Sequence, residues 1–129
     1  MKNNEKIGKL GEDIVCRYLL KRGFSIVEKN YWKKWGEIDI IAEKSNVLHF
    51  IEVKSVSKET EEQVTREMNE YNPEEMVHKW KLKRLSRVIQ TYLLKKTYKG
   101  QGWRFDIAAV FLSVENKKAY VRYTKNVVI

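Results

Sequence analysis

Near the start of the chain, apolar residues recur at helical spacing: Ile7, Leu10, Ile14 and Tyr18 lie three or four positions apart, with Val15 and Leu19 widening the stripe. This predicts an amphipathic helix over residues 5 to 22, ended by Gly23. The pattern then changes to strand-like. Phe24 to Asn30 reads as a first strand, Tyr31 to Trp35 as an aromatic, basic connection, and Gly36 as the turn into Glu37-Ile38-Asp39-Ile40-Ile41-Ala42-Glu43, a β-branched run. Lys44-Ser45-Asn46 has turn chemistry before Val47 to Lys54 resumes the strand pattern, so the two runs form a hairpin.

From Ser57 to Asn72 the chain is polar and longer than an ordinary connection, with Val64, Met68 and Tyr71 on one face if it is helical; both loop and helix remain open here. Asn72-Pro73-Glu74-Glu75 reads as the start of a second helix, running to about Lys96 with Val77, Trp80, Leu85, Val88, Ile89, Tyr92 and Leu93 as its buried stripe. Gly100 and Gly102 precede a strand from Trp103 to Leu112, and Lys118 to Tyr123 adds another after the Glu115-Asn116 turn. The expected fold class is α/β, ordered α-β-β-β-α-β-β, a mixed central sheet flanked by helices in a single domain over residues 1–129 with an acidic insert at about 57–72.

Composition narrows the setting. The chain has 43% apolar residues, enough for a core, and a net charge of +9 that points to a polyanionic partner. Charge is unevenly spread: Ser57 to Glu75 holds seven Glu against Lys58 and Arg66. The body is thus more basic than the total, which favours nucleic acid as partner. The stretch from Val47 to Val53 is apolar but short and interrupted by His49 and Glu52, and nothing approaches the ~18 residues of a bilayer span, so no membrane partner is expected. With no signal-like leader and one cysteine, Cys16, a cytoplasmic location is the simplest expectation.

Chemistry concentrates on the hairpin. Residues two apart on a strand share a face, so Glu52 and Lys54 project together. Asp39 lies among Ile38, Ile40 and Ile41, where an ionised carboxylate is costly unless a cation meets it. Hairpin pairing brings Asp39 near Glu52, and two adjacent carboxylates suit a hard divalent cation. A Glu-x-Lys pair by itself is commonplace on strands; the neighbouring Asp and its apolar setting give it weight. Glu37 shares Asp39's face by alternation but is equally a surface residue. Asp106 reads as structural, paired with Arg104. His49 and His78 lack partner spacing and carry no assigned chemistry.

Five stretches in order, Gly8-Lys9-Leu10-Gly11-Glu12, Gly36-Glu37-Ile38-Asp39-Ile40-Ile41-Ala42, Phe50-Ile51-Glu52-Val53-Lys54, Lys81-Leu82-Lys83-Arg84-Leu85 and Arg104-Phe105-Asp106, resemble the YraN-like family. That family is assigned to the restriction-endonuclease-like fold, the PD-(D/E)xK group, and is similar to archaeal Holliday junction resolvases. The resemblance implies a restriction-endonuclease-like sandwich and a metal-dependent endonuclease acting on DNA, favoured over RNA, with branched or junction DNA as the analogous substrate. It implies Asp39 and Glu52 as metal-binding acids, Glu12 as a supporting acid, the Val53 carbonyl as a further ligand and Lys54 as the residue that orients water. The implied cofactor is Mg2+, with Mn2+ able to substitute. The implied products are a 5′-phosphate and a 3′-hydroxyl. Cutting both strands of a junction would require a homodimer. Family members often carry an Arg two residues after the lysine, whereas this chain has Lys54-Ser55-Val56, which puts one phosphate contact in doubt.

Two segments are candidates for nucleic-acid contact. Trp32, Lys33 and Lys34 interleave an aromatic with cations, as base stacking and phosphate neutralisation require, although Trp32 or Trp35 plugging the core explains the pattern equally. Lys81 and Arg84 lie three apart on the second helix and can follow one phosphate backbone. Two other classes stay open: a non-cleaving nucleic-acid-binding module that keeps the nuclease fold, and a protein adaptor built around the acidic segment.

Overall fold

The computed structural model describes residues 3–76, 79–96, 100 and 102–127, and for residues 74, 76, 79–82 and 96 the backbone alone. The chain runs α1 (Asn3–Lys21), β1 (Ser25–Lys33), β2 (Gly36–Lys44), β3 (Val47–Lys58), α2 (Glu61–Glu70), a 3-10 turn (Pro73–Met76), α3 (Lys79–Lys96), β4 (Gly102–Ser113) and β5 (Lys118–Thr124). The five strands form one sheet in the order β1-β2-β3-β4-β5, antiparallel except for the parallel β3–β4 pair. This is a mixed α/β architecture with an open sheet. Among the described residues no helix is long and apolar enough to cross a membrane.

Alternation along β4 shows how the layers divide. Phe105 and Ile107 pack with Leu85, Val88 and Ile89 of α3, and Ala109 and Phe111 with Val64 of α2. On the opposite face, Ala108 and Val110 pack with Val15 and Leu19 of α1. Thus α3 and α2 share one face of the sheet end to end, while α1 covers the other. The acidic segment is therefore a structural part of the sandwich. Thr60 caps α2: its hydroxyl accepts from Gln63 N at 3.2 Å, and the Gln63 side chain accepts from Thr60 N at 3.2 Å.

Three boundaries differ from the sequence expectations, and one helix is added. The strand expected to end at Asn30 continues to Lys33, because Tyr31 and Trp32 pair with Ile38 and Glu37 in the ladder. The third strand continues past Lys54 to Lys58, since parallel β4 supplies partners up to Ser113. The expected single helix from Asn72 is interrupted: Glu75 N donates to the Asn72 carbonyl in a 3-10 turn, and α3 begins at Lys79. The added helix α2 makes the order α-β-β-β-α-α-β-β. Of the expected second-helix stripe, Val77 and Trp80 lie outside the described residues and side chains, as does His78. Leu85, Val88, Ile89 and Tyr92 are buried, and Leu93 packs against the same cluster.

The β2–β3 turn falls where expected. Ser45 and Asn46 both have positive φ, 52° and 67°, the backbone that a two-residue hairpin turn demands. On the other face, α1 approaches β3 closely at Gly11: a Cβ there would stand 1.9 Å from Ser55 Oγ and 3.1 Å from Ser55 Cβ. That contact draws Glu12 to the sheet.

Candidate active site

The β2–β3 ladder runs from the turn as far as Ile40 opposite Ile51. Beyond it the side-chain alternation slips: Ile38 packs in the α3-side core and Ile40 in the α1-side core, although residues two apart on a regular strand share a face. Asp39 sits at the slip. Its Oδ2 accepts the Val53 N–H at 2.8 Å, so a side chain takes over where the main-chain ladder stops.

On β3, Glu52 and Lys54 fall between Phe50, packed in the α3-side core, and Val56, packed in the α2-side core. Glu52 is 8% exposed, and Lys54 Nζ stands 3.8 Å from Glu52 Oε1. Asp39, Glu52, Val53 and Lys54 line a cleft of about 360 Å3 with Asn4, Ile7, Gly8 and Glu12 of α1 and with Ser55 and Ser57. The structure thus brings Glu12, Asp39, Glu52 and Lys54 together.

The electrostatics of this cleft are those of crowded acids. Burial, then the charge of Glu52, pushes the Asp39 carboxyl up to about 7, against the lowering effect of the Val53 N–H. Burial also raises Glu12, while a hydrogen bond from Asn30 lowers it. With its amide nitrogen facing the acids, Asn30 donates to Glu12 Oε1 at 3.0 Å and to Glu37 Oε1 at 2.9 Å. Asn30 was not among the expected site residues. Its φ of 53° lies in the left-handed region that Asn tolerates better than most side chains, the one sequence signal that marks it. Glu37 is exposed and joins the site through Asn30.

Among the described residues no three His, Cys, Asp or Glu side chains form a group able to hold a metal ion by themselves. A pair of carboxylates with a backbone carbonyl is short of a closed zinc cage; it is the small donor set on which magnesium, keeping several waters, relies.

A second cleft of about 440 Å3 is lined by Trp32, Lys33, Lys34, Trp35, Gly36, Glu37 and Arg84. Trp32 is 66% exposed, whereas Trp35 packs against the core and carries the Arg87 guanidinium over its ring at 4.2 Å. Trp35 is therefore the tryptophan that plugs the core, and Trp32 is not. The Lys81 side chain lies outside the described residues. Glu37 lines this cleft and Glu12 the first, so Asn30 bridges their walls.

The pairing expected between Asp106 and Arg104 is not formed. Asp106 is fully buried and accepts from His49 Nδ1 at 2.6 Å, from Tyr123 OH and from Asn126 N at 2.8 Å, whereas Arg104 is exposed. His49, without a partner by spacing, owes this one to β4 lying beside β3.

Residues 11–110 match the profile of a family described as "Uncharacterised protein family UPF0102". The chain is 41% identical over 115 residues to a "UPF0102 protein" of Dictyoglomus thermophilum, covering 89% of this chain and 90% of the relative. Similar proteins of the same printed name occur in Dictyoglomus turgidum, 36% identical with 96% and 98% covered, and Alkaliphilus metalliredigens, 39% identical with 92% and 96% covered.

Proposed function

We propose, from the premise that the chain belongs to the UPF0102 family, that it is a magnesium-dependent nuclease of the restriction-endonuclease type, hydrolysing phosphodiester bonds in DNA. The observation that carries this reading is the pairing of half-buried Asp39 with buried Glu52 at the fork of β2 and β3, with Lys54 beside them. Two crowded acids, the charge of Glu52 raising the proton affinity of Asp39, disfavour a binding surface meant for phosphates and suit the holding of a cation.

In this reading Asp39 and Glu52 hold the cation with the Val53 carbonyl, and Glu12 supports it from α1. When bound, magnesium supplies Lewis-acid polarisation of the phosphate and a water acidic enough to act as nucleophile near neutral pH. Lys54 orients the attacking water and offsets charge growing on the phosphate oxygens. Val53 N–H fixes the Asp39 carboxylate, so one Asp39 oxygen is oriented before any ligand arrives. Trp32, Lys33, Lys34 and Arg84 supply a stacking face and cations for the strand on either side of the scissile bond.

The test incubates purified protein with linear, flapped and four-way-junction DNA and with RNA, with magnesium, with manganese and with neither, beside Asp39→Ala and Lys54→Ala. Metal-dependent cleavage that disappears in both variants supports the assignment. Cleavage that persists in both comes from a contaminant and overturns it; salt-sensitive binding without cleavage identifies a non-cleaving module instead.

A further inference from the structure

At the end of the sheet where β2 turns into β3, a separate cleft of about 430 Å3 is lined by Phe24, Lys44, Ser45, Val47, His49, Arg104, Lys125 and Asn126. It shares no lining residue with either cleft described above. Three strand ends converge there, each bringing a cation: Lys44 closes β2, Arg104 opens β4, and Lys125 follows β5. Among the described residues no carboxylate pairs with Arg104 or Lys125 in an ion pair.

The floor of this cleft is built. His49 is 7% exposed, and its Nδ1 lies 2.6 Å from Asp106. Because Tyr123 OH and Asn126 N also donate to Asp106, the carboxylate acts as acceptor throughout, and the imidazole contributes its Nδ1–H. Nε2 is then the nitrogen left for the cleft that His49 lines. The same carboxylate anchors the cationic wall: Asn126 N donates to Asp106 Oδ1 at 2.8 Å and Val127 N to the Phe105 carbonyl at 2.7 Å, which holds Lys125 at the mouth. One buried acid thus fixes both an imidazole and a lysine-bearing segment.

We infer that this cleft binds the phosphate group of a nucleotide, with Arg104, Lys125 and Lys44 donating to its oxygens and His49 Nε2 accepting from a protonated phosphate oxygen. A phosphate matches several convergent donors with no carboxylate competing at the mouth, and Arg presents paired donors to two of its oxygens. The space is of the size that ligand sites take, roughly 300–1,000 Å3, so a sugar fits beyond the phosphate. The phosphate comes from a free mononucleotide or from the end of a strand.

The experiment uses the full chain carrying Asp39→Ala, in EDTA, so that neither cleavage nor a divalent cation contributes. Ring resonances of His49 are followed by NMR during titration with inorganic phosphate, a nucleoside 5′-monophosphate, the matching nucleoside, and short single strands with and without a 5′-phosphate. Saturable shifts with the phosphorylated ligands, and none with the nucleoside, are expected. Arg104→Ala and Lys125→Ala should each weaken binding by roughly ten-fold or more, the usual weight of a charge-assisted contact. Mononucleotide binding without strand binding assigns the free ligand, and preference for the 5′-phosphorylated strand assigns the strand end. Equal response to the nucleoside, or shifts unchanged in both variants, overturns the inference. His49→Gln, which keeps a donor and an acceptor, checks the role of the imidazole against loss of folding, monitored by circular dichroism. None of these readouts depends on nuclease activity, so failure here and failure of the nuclease assignment are separable.

Discussion

Asp39 and Val53 are joined by a 2.8 Å hydrogen bond from main chain to carboxylate, formed just where the β2–β3 ladder ends. Without the Val53 N–H, Asp39 would face Glu52 with burial and like charge alone. With it, one carboxylate oxygen is fixed while the proton affinity of the group stays high.

The pH dependence of stability follows from that affinity. The folded chain holds the Asp39 proton more tightly than the unfolded chain, with a pKa of about 7 against 3.8. Its contribution to stability is therefore complete below about pH 4 and lost as pH rises through about 7, on the order of a few kcal/mol at ~1.4 kcal/mol per pKa unit. Urea unfolding of metal-free protein should show this fall, and Asp39→Asn should flatten it, becoming the more stable protein at pH 8. Magnesium should restore stability to the parent at pH 8 and leave Asp39→Asn unmoved. An identical pH slope in both proteins would refute the coupling.

In the proposed mechanism Lys54 separates catalysis from metal holding. Its ammonium stands beside Glu52 without completing the acid pair, so Lys54→Ala should keep the magnesium-induced thermal shift while cleavage falls about 10²–10³-fold, the usual weight of one transition-state donor. Loss of both signals together would make Lys54 a structural residue.

Trp32 offers a readout on binding alone. It is 66% exposed, so Trp32→Ala should change unfolding free energy by no more than about 0.5 kcal/mol. Affinity for single-stranded DNA, measured by fluorescence anisotropy with the Asp39→Ala protein, should drop by about 1–3 kcal/mol if a base stacks there. Unchanged affinity would remove Trp32 from the interface.

The contact between α1 and β3 can be tested by a double-mutant cycle. Gly11→Ala drives a methyl into Ser55, at a cost of about 1–3 kcal/mol. Ser55 Oγ is itself buried without a hydrogen-bond partner among the described residues, so Ser55→Ala removes both an unsatisfied hydroxyl and the nearest obstruction. Gly11→Ala should therefore cost less in the Ser55→Ala background. Additive effects in chemical denaturation would show that the two residues do not share the space.

Much of this arrangement was readable along the chain because it is local. The apolar spacing from Ile7 to Leu19 announces α1, although its buried face is Gly11, Val15 and Leu19 and Leu10 is exposed, and the turn at Ser45-Asn46 sets the register that brings β2 beside β3. What escaped depends on tertiary placement. The slip at Asp39 cannot be read from Glu37-Ile38-Asp39-Ile40, where alternation assigns Ile38 and Ile40 one face although they pack in opposite cores. His49 and Asp106 meet only because β4 lies parallel to β3, a pairing across a long stretch of chain that neither residue signals by itself. The acidic segment looked like an excursion because its charges dominate; Val64, buried over β4, decides its role.

The strand order has a kinetic corollary. β1, β2 and β3 are neighbours both along the chain and in the sheet, as are β4 and β5, so only the β3–β4 pairing must close the long crossover between Lys58 and Gly102. Closing distant segments is the slow part of assembling such a topology. On that ground Asp39 and Glu52 are expected to meet early, in a hairpin still open to water, and to lose that water only when β4 and the helices dock. The electrostatic burden of the acid pair thus falls on the late, rate-setting step. Mild acid or magnesium should accordingly quicken refolding in stopped-flow measurements, and a chain relieved of that burden by Asp39→Asn should refold faster at pH 8 than its parent.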